Sequence, residues 1–169
     1  MSKMYKIGEK LLTLSDISKI ISEGIKIELS SKSEKKVKEC RKYLDEKIKN
    51  SQDPIYGVNT GFGSLCNHKI SDEDLEQLQR NLVVSHACGT GDEVPQDIVK
   101  IMLLLKIQSL SYGHSAVQLQ TINRLIDMFN NNILPVVFQL VSLGASGDLA
   151  PLAHMSLVLL GLGEAYIPN

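Results

Sequence analysis

The chain has 169 residues, of which 43% are hydrophobic and 22% are charged, and its formal net charge is −1 at pH 7. These values are typical of a globular protein with a sizeable core and exclude wholesale disorder. The apolar runs are far shorter than the roughly 18 residues that a membrane span needs, and the charged N-terminus lacks the features of a signal peptide. We therefore expect a cytoplasmic protein that has no membrane partner.

The first two predicted helices lie in the N-terminal third of the chain. Ser15 is predicted to cap a short helix whose isoleucines share one face and which stops at Gly24. Ser31 and Glu34 have capping-box spacing, and apolar residues then recur at helical intervals as far as Asn50. The sequence therefore predicts a longer amphipathic helix at this point.

Charge is distributed unevenly along the chain. Residues 1–50 have a net charge of +5, and residues 51–169 have a net charge of −6. A basic arm for nucleic acid is one interpretation. However, the lysines of the second helix alternate with acidic residues, and Tyr43 is its only aromatic residue. A solvated helix face is the better interpretation, and we expect no nucleic-acid partner.

Residues 51–69 form a long loop that is rich in Gly, Asn, Ser and Pro. The loop also contains apolar residues such as Ile55, Phe62 and Leu65, so it differs from a polar linker and should pack on another part of the protein. Loops of this length in compact domains are most often lids or binding loops. An ordinary glycine-rich turn is equally compatible with the spacing.

Two further helices follow the loop. Ser71 opens the first of them, with Asp74 at the capping-box position, and its apolar stripe places His86 in the last turn. Pro95 begins the second, which stops at Gly113. A single histidine on such a helix face is more often a packed core or capping residue than a catalytic one.

The three cysteines argue against disulfides and against a zinc site. Cys40, Cys66 and Cys88 are odd in number and have no paired spacing, which fits a reducing compartment. Cys66 with His68 and His86 with Cys88 supply four possible zinc ligands, but one residue separates each pair. Structural zinc sites usually have two to four intervening residues. We therefore expect no metal.

The remaining chain predicts one helix over about residues 116–130 and another in "LAPLAHMSLVLLGLG", with Pro151 tolerated in its first turn. Short strands are expected only near residues 4–8 and 25–29. The predicted fold class is all-α. We expect a single mainly helical domain over residues 1–169, with a long glycine-rich loop and minor short strands.

The segment "GASGD" directly precedes the last helix and contains a serine near other polar residues. Ser146, Asp148 and His154 lie within nine residues, which raises the possibility of a serine hydrolase. Asp148 stands where a nucleophile elbow needs its second glycine. Triad members also come from distant segments as a rule. The spacing therefore disfavours a hydrolase.

Ala145, Ser146 and Gly147 suit a different reaction, in which the backbone condenses with itself. Glycine has no Cβ, so its amide nitrogen can approach the Ala145 carbonyl carbon closely. Closure of a five-membered ring there would release one water, and loss of a second water from Ser146 would leave an exocyclic methylene. The serine would then become an electrophile.

Three segments, in chain order, carry a resemblance to a known family: "YGVNTGFG" at 56–63, "LQRNLVVSHACGTG" at 78–91 and "GASGDLAPLAHM" at 144–155. Over roughly residues 8–169 the chain resembles the aromatic amino acid lyase family, and in particular its histidine ammonia-lyase branch. The resemblance implies the N-terminal part of that helical fold. It also implies a built-in cofactor, 4-methylidene-imidazol-5-one (MIO), formed from the Ala-Ser-Gly tripeptide without an external cofactor.

The resemblance also implies roles for individual residues. Tyr56 would be the catalytic base on a lid loop, and Ser146 would supply the reactive methylene. His86, the second residue of a Ser-His pair, would bind the imidazole of the substrate, while Gly63 and Asp148 would support the site. The implied reaction converts L-histidine to urocanate with loss of ammonia, in a homo-oligomer that is a tetramer in full-length members.

Other interpretations remain open at this stage. Gln118 stands where the family typically has an arginine, and the family's downstream site residues are absent, so we expect little turnover by the isolated chain. One alternative is a non-catalytic helical interaction module or a degenerate truncated lyase. Another is a lyase or aminomutase that acts on a different aromatic amino acid.

Overall fold

The computed structural model describes residues 4–50, 53–141 and 149–168. Within them the helices are α1 Leu14–Ser22, α2 Ser31–Asn50, α3 Leu75–His86, α4 Gln96–Ser111, α5 Leu119–Asn130 and α6 Leu149–Leu157. The strands are β1 Tyr5–Ile7, β2 Ile27–Leu29, β3 Thr90–Glu93, β4 Leu134–Pro135, β5 Phe138–Leu140 and β6 Ala165–Tyr166. The prediction of a mainly helical fold with minor strands is confirmed. In the described ranges, no helix combines the length and apolarity needed to cross a membrane.

The chain divides into two compact units, and the first comprises the described residues of 1–49, 95–134 and 165–169. Strands β1 and β2 run parallel in this unit, at the positions where strands were expected. Helix α4 packs on α5 and on β1, and α5 packs on β2. The best-buried aliphatic side chains of this core are each at most 1% exposed: Ile7, Ile20, Ile27, Val37, Val99, Leu103, Leu104, Ile107 and Ile122.

The Asn130 side chain joins the end of α5 to strand β2. The Ile27 N–H donates to Asn130 Oδ1 at 2.8 Å, and Asn130 Nδ2 donates to the Ile27 carbonyl at 2.8 Å. One amide thus satisfies both backbone polar groups of a strand residue, as a neighbouring strand would. This pair of bonds fixes the helix against the small sheet.

Helix α1 is capped by Thr13, so the prediction that Ser15 caps it is wrong. Thr13 Oγ1 accepts from the Asp16 N–H at 3.1 Å, and Asp16 Oδ2 accepts from the Thr13 N–H at 3.1 Å. Lys10 also donates to Asp16 at 3.0 Å. The bond from Lys10, followed by the bonds from Thr13, lowers the pKa of Asp16 to about 2. A capping box needs a partner three residues before Asp16, and that residue is Thr13 rather than Ser15.

Two other helix starts differ from the prediction. Ser30, one residue before the expected Ser31, caps α2, because its Oγ accepts from the Ser33 N–H at 3.2 Å. Helix α5 begins at Leu119 rather than near residue 116. Ala116 has φ of 50°, a left-handed conformation that is incompatible with a right-handed helix.

The second unit comprises the described residues of 50–94 and 135–164. Helix α3 packs on α6 and ends at His86, as predicted, while strand β3 runs antiparallel to β5. Ser71 precedes a single 3₁₀ turn rather than capping α3, and its hydroxyl donates to the Asp74 carboxylate at 2.8 Å. The sequence did not predict β3, because all four of its residues are exposed and show no alternation.

We predict that Thr13→Ala lowers the free energy of unfolding by about 1 kcal/mol, because it removes the acceptor at the start of α1. Ser15→Ala is the matched control, and the expected change is within about 0.5 kcal/mol because Ser15 is exposed inside the helix. Urea unfolding followed by circular dichroism measures both values. A larger loss for Ser15→Ala than for Thr13→Ala would contradict the assignment of the cap.

Candidate functional site

Asn59 organises the backbone of the loop that carries Tyr56. Its side chain is 1% exposed, and Oδ1 accepts from the Ile55 N–H at 2.6 Å. The Asn59 carbonyl accepts from the Ile70 N–H at 2.8 Å, which joins the middle of the loop to the residue that follows it. One residue therefore satisfies backbone N–H groups that a neighbouring strand would otherwise satisfy.

Thr60 and Gly57 form a tight turn beside the Tyr56 side chain. Thr60 is fully buried, and its Oγ1 accepts from the Gly57 N–H at 3.2 Å. Gly57 has φ of +67°, and a Cβ at this position would lie 2.8 Å from Cε1 of Phe62. Glycine is required here both for its conformation and for the close approach of the Phe62 ring.

Gln79 joins this loop to helix α3. Its side-chain Nε2 donates to the Gly57 carbonyl at 3.0 Å and to the Val58 carbonyl at 2.9 Å. Gln79 lies seven residues before His86, which is about two helical turns and places both on the same helix face. The two hydrogen bonds therefore fix the loop with respect to the helix that carries His86.

Phe62 lies between the rings of Tyr56 and His86. The Tyr56 and Phe62 centroids are 5.6 Å apart, and the Phe62 and His86 centroids are 5.4 Å apart in an edge-on arrangement. Tyr56 is 62% exposed, and its phenol oxygen accepts from the Gly63 N–H at 3.5 Å, a long contact. The structure thus brings three of the predicted site residues, Tyr56, Gly63 and His86, into one neighbourhood.

The orientation of His86 is set by the last turn of α3. Its Nδ1 lies 2.6 Å from the Leu82 carbonyl oxygen, which can only accept, so Nδ1 is the donor. In the neutral ring this leaves Nε2 as the acceptor nitrogen. Ser85 Oγ donates to the same carbonyl at 3.3 Å. The Ser-His pair therefore shares one backbone acceptor.

His154, on helix α6, contacts the segment that follows His86. Its Nε2 accepts from the Gly89 N–H at 2.9 Å, and its ring meets the Phe138 ring edge-on at 5.3 Å between centroids. His154 is 8% exposed. Burial lowers the pKa of His154 below its ordinary value of 6.5, because desolvation disfavours the imidazolium.

Ala145, Ser146, Gly147 and Asp148 lie outside the described residues. The elements on both sides of them are described: β5 ends at Leu140, and α6 is described from Leu149. Strand β5 pairs with β3, which follows His86 closely in the chain, and α6 packs on α3. Both flanks of the tripeptide are thus attached to the part of the chain around His86.

Comparison with known proteins identifies the family. A sequence profile of the aromatic amino acid lyases matches residues 12–169. The chain belongs to the aromatic amino acid lyase family. The histidine ammonia-lyase of Streptococcus gordonii is 43% identical over 166 residues, which make up 98% of this chain and 32% of the relative.

Solved structures of other enzymes share the fold of this chain. Histidine ammonia-lyase from Trypanosoma cruzi superposes with a TM-score of 0.85 at 31% identity, covering 99% of this chain and 32% of that one. The ergothioneine-degrading ergothionase of Treponema denticola gives a TM-score of 0.91 at 25% identity, covering 98% and 33% of the two chains. The chain therefore spans about a third of the length of these relatives.

Several residues of the candidate site carry no clear signal in the sequence. The sequence presents Phe62 only as an apolar residue of the loop, and no motif points to the contacts of Gln79 and Gly89. The sequence places His154 only near Ser146 and Asp148, in the spacing that disfavours a hydrolase. Its bond to Gly89 joins residues 65 positions apart, which no local pattern reveals. The spacing of seven residues between Gln79 and His86 is the one signal that sequence offered.

No group of three or more His, Cys, Asp and Glu side chains that could bind a metal ion occurs among the residues that the structure describes. Cys88 is exposed and Cys66 is partly exposed. The groups that make up the candidate site in the described residues are aromatic rings, imidazoles and backbone groups.

We predict that Gln79→Leu speeds amide hydrogen exchange in residues 55–61 by roughly tenfold, because it removes both bonds to the loop carbonyls while keeping a side chain of similar size. Gln77→Leu is the matched control, since Gln77 lies on the same helix and donates only to the exposed Asn81. Exchange read by mass spectrometry or NMR distinguishes the two variants. Equal exchange rates in both would contradict the role given to Gln79.

Proposed function

We propose that the chain is the N-terminal helical portion of a histidine ammonia-lyase, which eliminates ammonia from L-histidine to give urocanate. Family membership supports the class of reaction. The observation that carries the proposal for histidine is the orientation of His86, with Nδ1 bound to the Leu82 carbonyl and Phe62 between His86 and Tyr56.

Tyr56 is proposed as the base that removes the β-proton of the substrate. Its ring is largely exposed, so the phenol is accessible to a bound molecule. The bonds from Gln79 to the adjacent backbone limit where the phenol can lie. A base must lie within hydrogen-bond reach of the proton that it abstracts, and a fixed loop provides such a position.

His86 is proposed to bind the side chain of the substrate. With the proton on Nδ1, the ring in its neutral form has an acceptor at Nε2, and the imidazole of histidine has an N–H that can donate to it. A phenyl ring has no such donor, so this contact favours histidine over phenylalanine. The Leu82 carbonyl supports the choice by keeping the proton of His86 on Nδ1.

The cofactor proposed for this site is MIO, formed from Ala145, Ser146 and Gly147, with Asp148 as a supporting residue. When formed, MIO supplies an electrophile that activates the substrate for loss of ammonia. The described surroundings fit this group, because α6 is described from Leu149, shortly after the tripeptide in the chain, and the N-terminal end of a helix is positively polarised. The attachment of both flanks near His86 also fits a site shared by the two.

The proposed protein acts in the cytoplasm as a homo-oligomer. Support for the oligomer comes from large apolar side chains of the second unit that are exposed in the single chain. Leu140 is 64% exposed, Leu149 is 44% exposed and Val84 is 43% exposed. Large apolar side chains that are exposed in a single chain are a common feature of surfaces that other chains cover.

A lyase of this fold that acts on another substrate is the second candidate. The high structural similarity to an ergothioneine-degrading enzyme favours it, because the same backbone serves a different substrate there. A non-catalytic helical module is the third candidate. It predicts an unmodified tripeptide, whereas both lyase candidates predict a mature cofactor.

We predict that the intact mass of the folded full chain is lower than the sequence mass by about 36 Da, because cofactor formation releases two waters. Ser146→Ala cannot lose the second water, which comes from the Ser146 hydroxyl, so its mass should be lower than calculated by at most about 18 Da. Mass spectrometry of the undigested chains measures both. A wild-type chain with its full calculated mass would favour the non-catalytic module.

The substrate is tested in a chimera in which this chain replaces the matching 166 residues of the Streptococcus gordonii enzyme. We expect urocanate formation from L-histidine. Tyr56→Phe should lower kcat by roughly 10²-fold or more, because it removes the proposed base. His86→Leu should raise KM for histidine roughly tenfold, because one hydrogen bond to the substrate is lost.

Tyr43→Phe and His68→Leu are the matched controls for these variants, because both side chains are exposed and neither lies in the proposed site. Both controls should keep the kinetic constants of the chimera. If His86→Leu leaves KM for histidine unchanged, the second candidate is favoured. If Tyr56→Phe keeps full kcat, the assignment of the base is wrong.

A further inference from the structure

Three residues join the flanks of the tripeptide to the segment that follows His86. Gly89 lies three positions after His86, Phe138 lies on β5 before the tripeptide, and His154 lies on α6 after it. The Gly89 N–H donates to His154 Nε2 at 2.9 Å, and the Phe138 and His154 rings pack edge-on. We refer to Gly89, Phe138 and His154 as the Gly89 clamp.

We propose that His154 is a positioning residue that fixes α6 and β5, the two flanks of the tripeptide, with respect to the C-terminal turn of α3 that carries His86. This inference rests on the proposed function, because the position of the two flanks relative to His86 matters only if the tripeptide and His86 share one site. The contact itself is independent of it, because it is a geometric feature of the described residues.

The contact is a close one, which distinguishes it from ordinary packing. A Cβ built on Gly89 would lie 3.1 Å from His154 Nε2 and 3.2 Å from its Cδ2, and 3.4 Å from Cβ of Phe138. A residue with a Cβ at position 89 would therefore require the His154 ring to shift by a few tenths of an ångström. The backbone pairing continues beyond the clamp, because Thr90 pairs with Leu140.

The bond also specifies the form of the imidazole. An Nε2 that accepts from a backbone N–H carries no proton, so the ring proton is on Nδ1 and the ring is neutral. Burial lowers the pKa of His154, which keeps this form at neutral pH. A phenylalanine at this position would keep the ring contact with Phe138 and lose the acceptor, so the two contributions are separable.

The first test uses the wild-type full chain. Two-bond ¹H–¹⁵N correlation spectra identify which ring nitrogen of His154 is protonated. The clamp requires a neutral ring at pH 7 with the proton on Nδ1. A proton on Nε2, or a charged ring, would overturn the proposal.

The second test compares His154→Phe with His154→Gln, whose amide oxygen can replace the lost acceptor. We expect the Gly89 amide to exchange at least tenfold faster in His154→Phe and to stay protected in His154→Gln. The fraction of chains that lack the two waters should fall by half or more in His154→Phe and recover in His154→Gln. His68→Phe, in an exposed part of the loop, is the matched control and should change neither value.

The outcomes separate this proposal from the proposed function. Unchanged Gly89 exchange in His154→Phe overturns the clamp. Faster exchange with an unchanged mass distribution overturns the positioning role, while the lyase assignment stands. A wild-type chain that never loses water contradicts the proposed function, and the clamp is then judged by tautomer and exchange alone. Should His154→Phe fail to fold, protection of Gly89 in His154→Gln supports the clamp and its loss overturns it.

Discussion

The Gln79 side chain donates two hydrogen bonds to consecutive carbonyls of the loop, and the placement of Tyr56 relative to His86 depends on them. A loop of this length loses conformational entropy of about 1–2 kcal/mol for each residue that becomes ordered. The internal bonds of Asn59 and Thr60 offset part of that cost within the loop. Gln79 bonds the ordered loop to the helix that carries His86, and Phe62 adds a ring contact between the loop and His86 itself.

A second constraint acts in the last turn of α3. His86 Nδ1 and Ser85 Oγ both lie within hydrogen-bond reach of the Leu82 carbonyl, which can only accept, so this carbonyl sets the tautomer of His86. A local contact within the helix therefore fixes the orientation of the ring and leaves Nε2 without a proton in its neutral form.

Sequence patterns predicted the helices well and their first residues poorly. Periodic apolar residues specify a helix over several turns, whereas the choice between Thr13 and Ser15, or Ser30 and Ser31, depends on a single side-chain bond. The sequence did not predict the short strands β3 and β5, because their pairing joins segments that are far apart in the chain. The same reason applies to the site: Tyr56 and His86 lie in recognisable motifs, but Gln79 reaches a loop 22 residues away and His154 reaches Gly89 across 65.

The similarity to both histidine ammonia-lyase and ergothionase means that the backbone fold alone does not specify the substrate. Two enzymes with different substrates superpose on this chain with TM-scores of 0.85 and 0.91, so the fold supplies a common arrangement of loop and helices. Substrate choice must then come from side chains placed on this arrangement, and for this chain we propose His86 as the one that contacts the substrate. Gly57 allows the loop backbone to approach the Phe62 ring, because a Cβ at position 57 would lie 2.8 Å from Phe62 Cε1. A Cβ at position 89 would lie 3.1 Å from His154 Nε2, so His154 would have to shift by a few tenths of an ångström. The two glycines thus help to set where the rings of Phe62 and His154 lie.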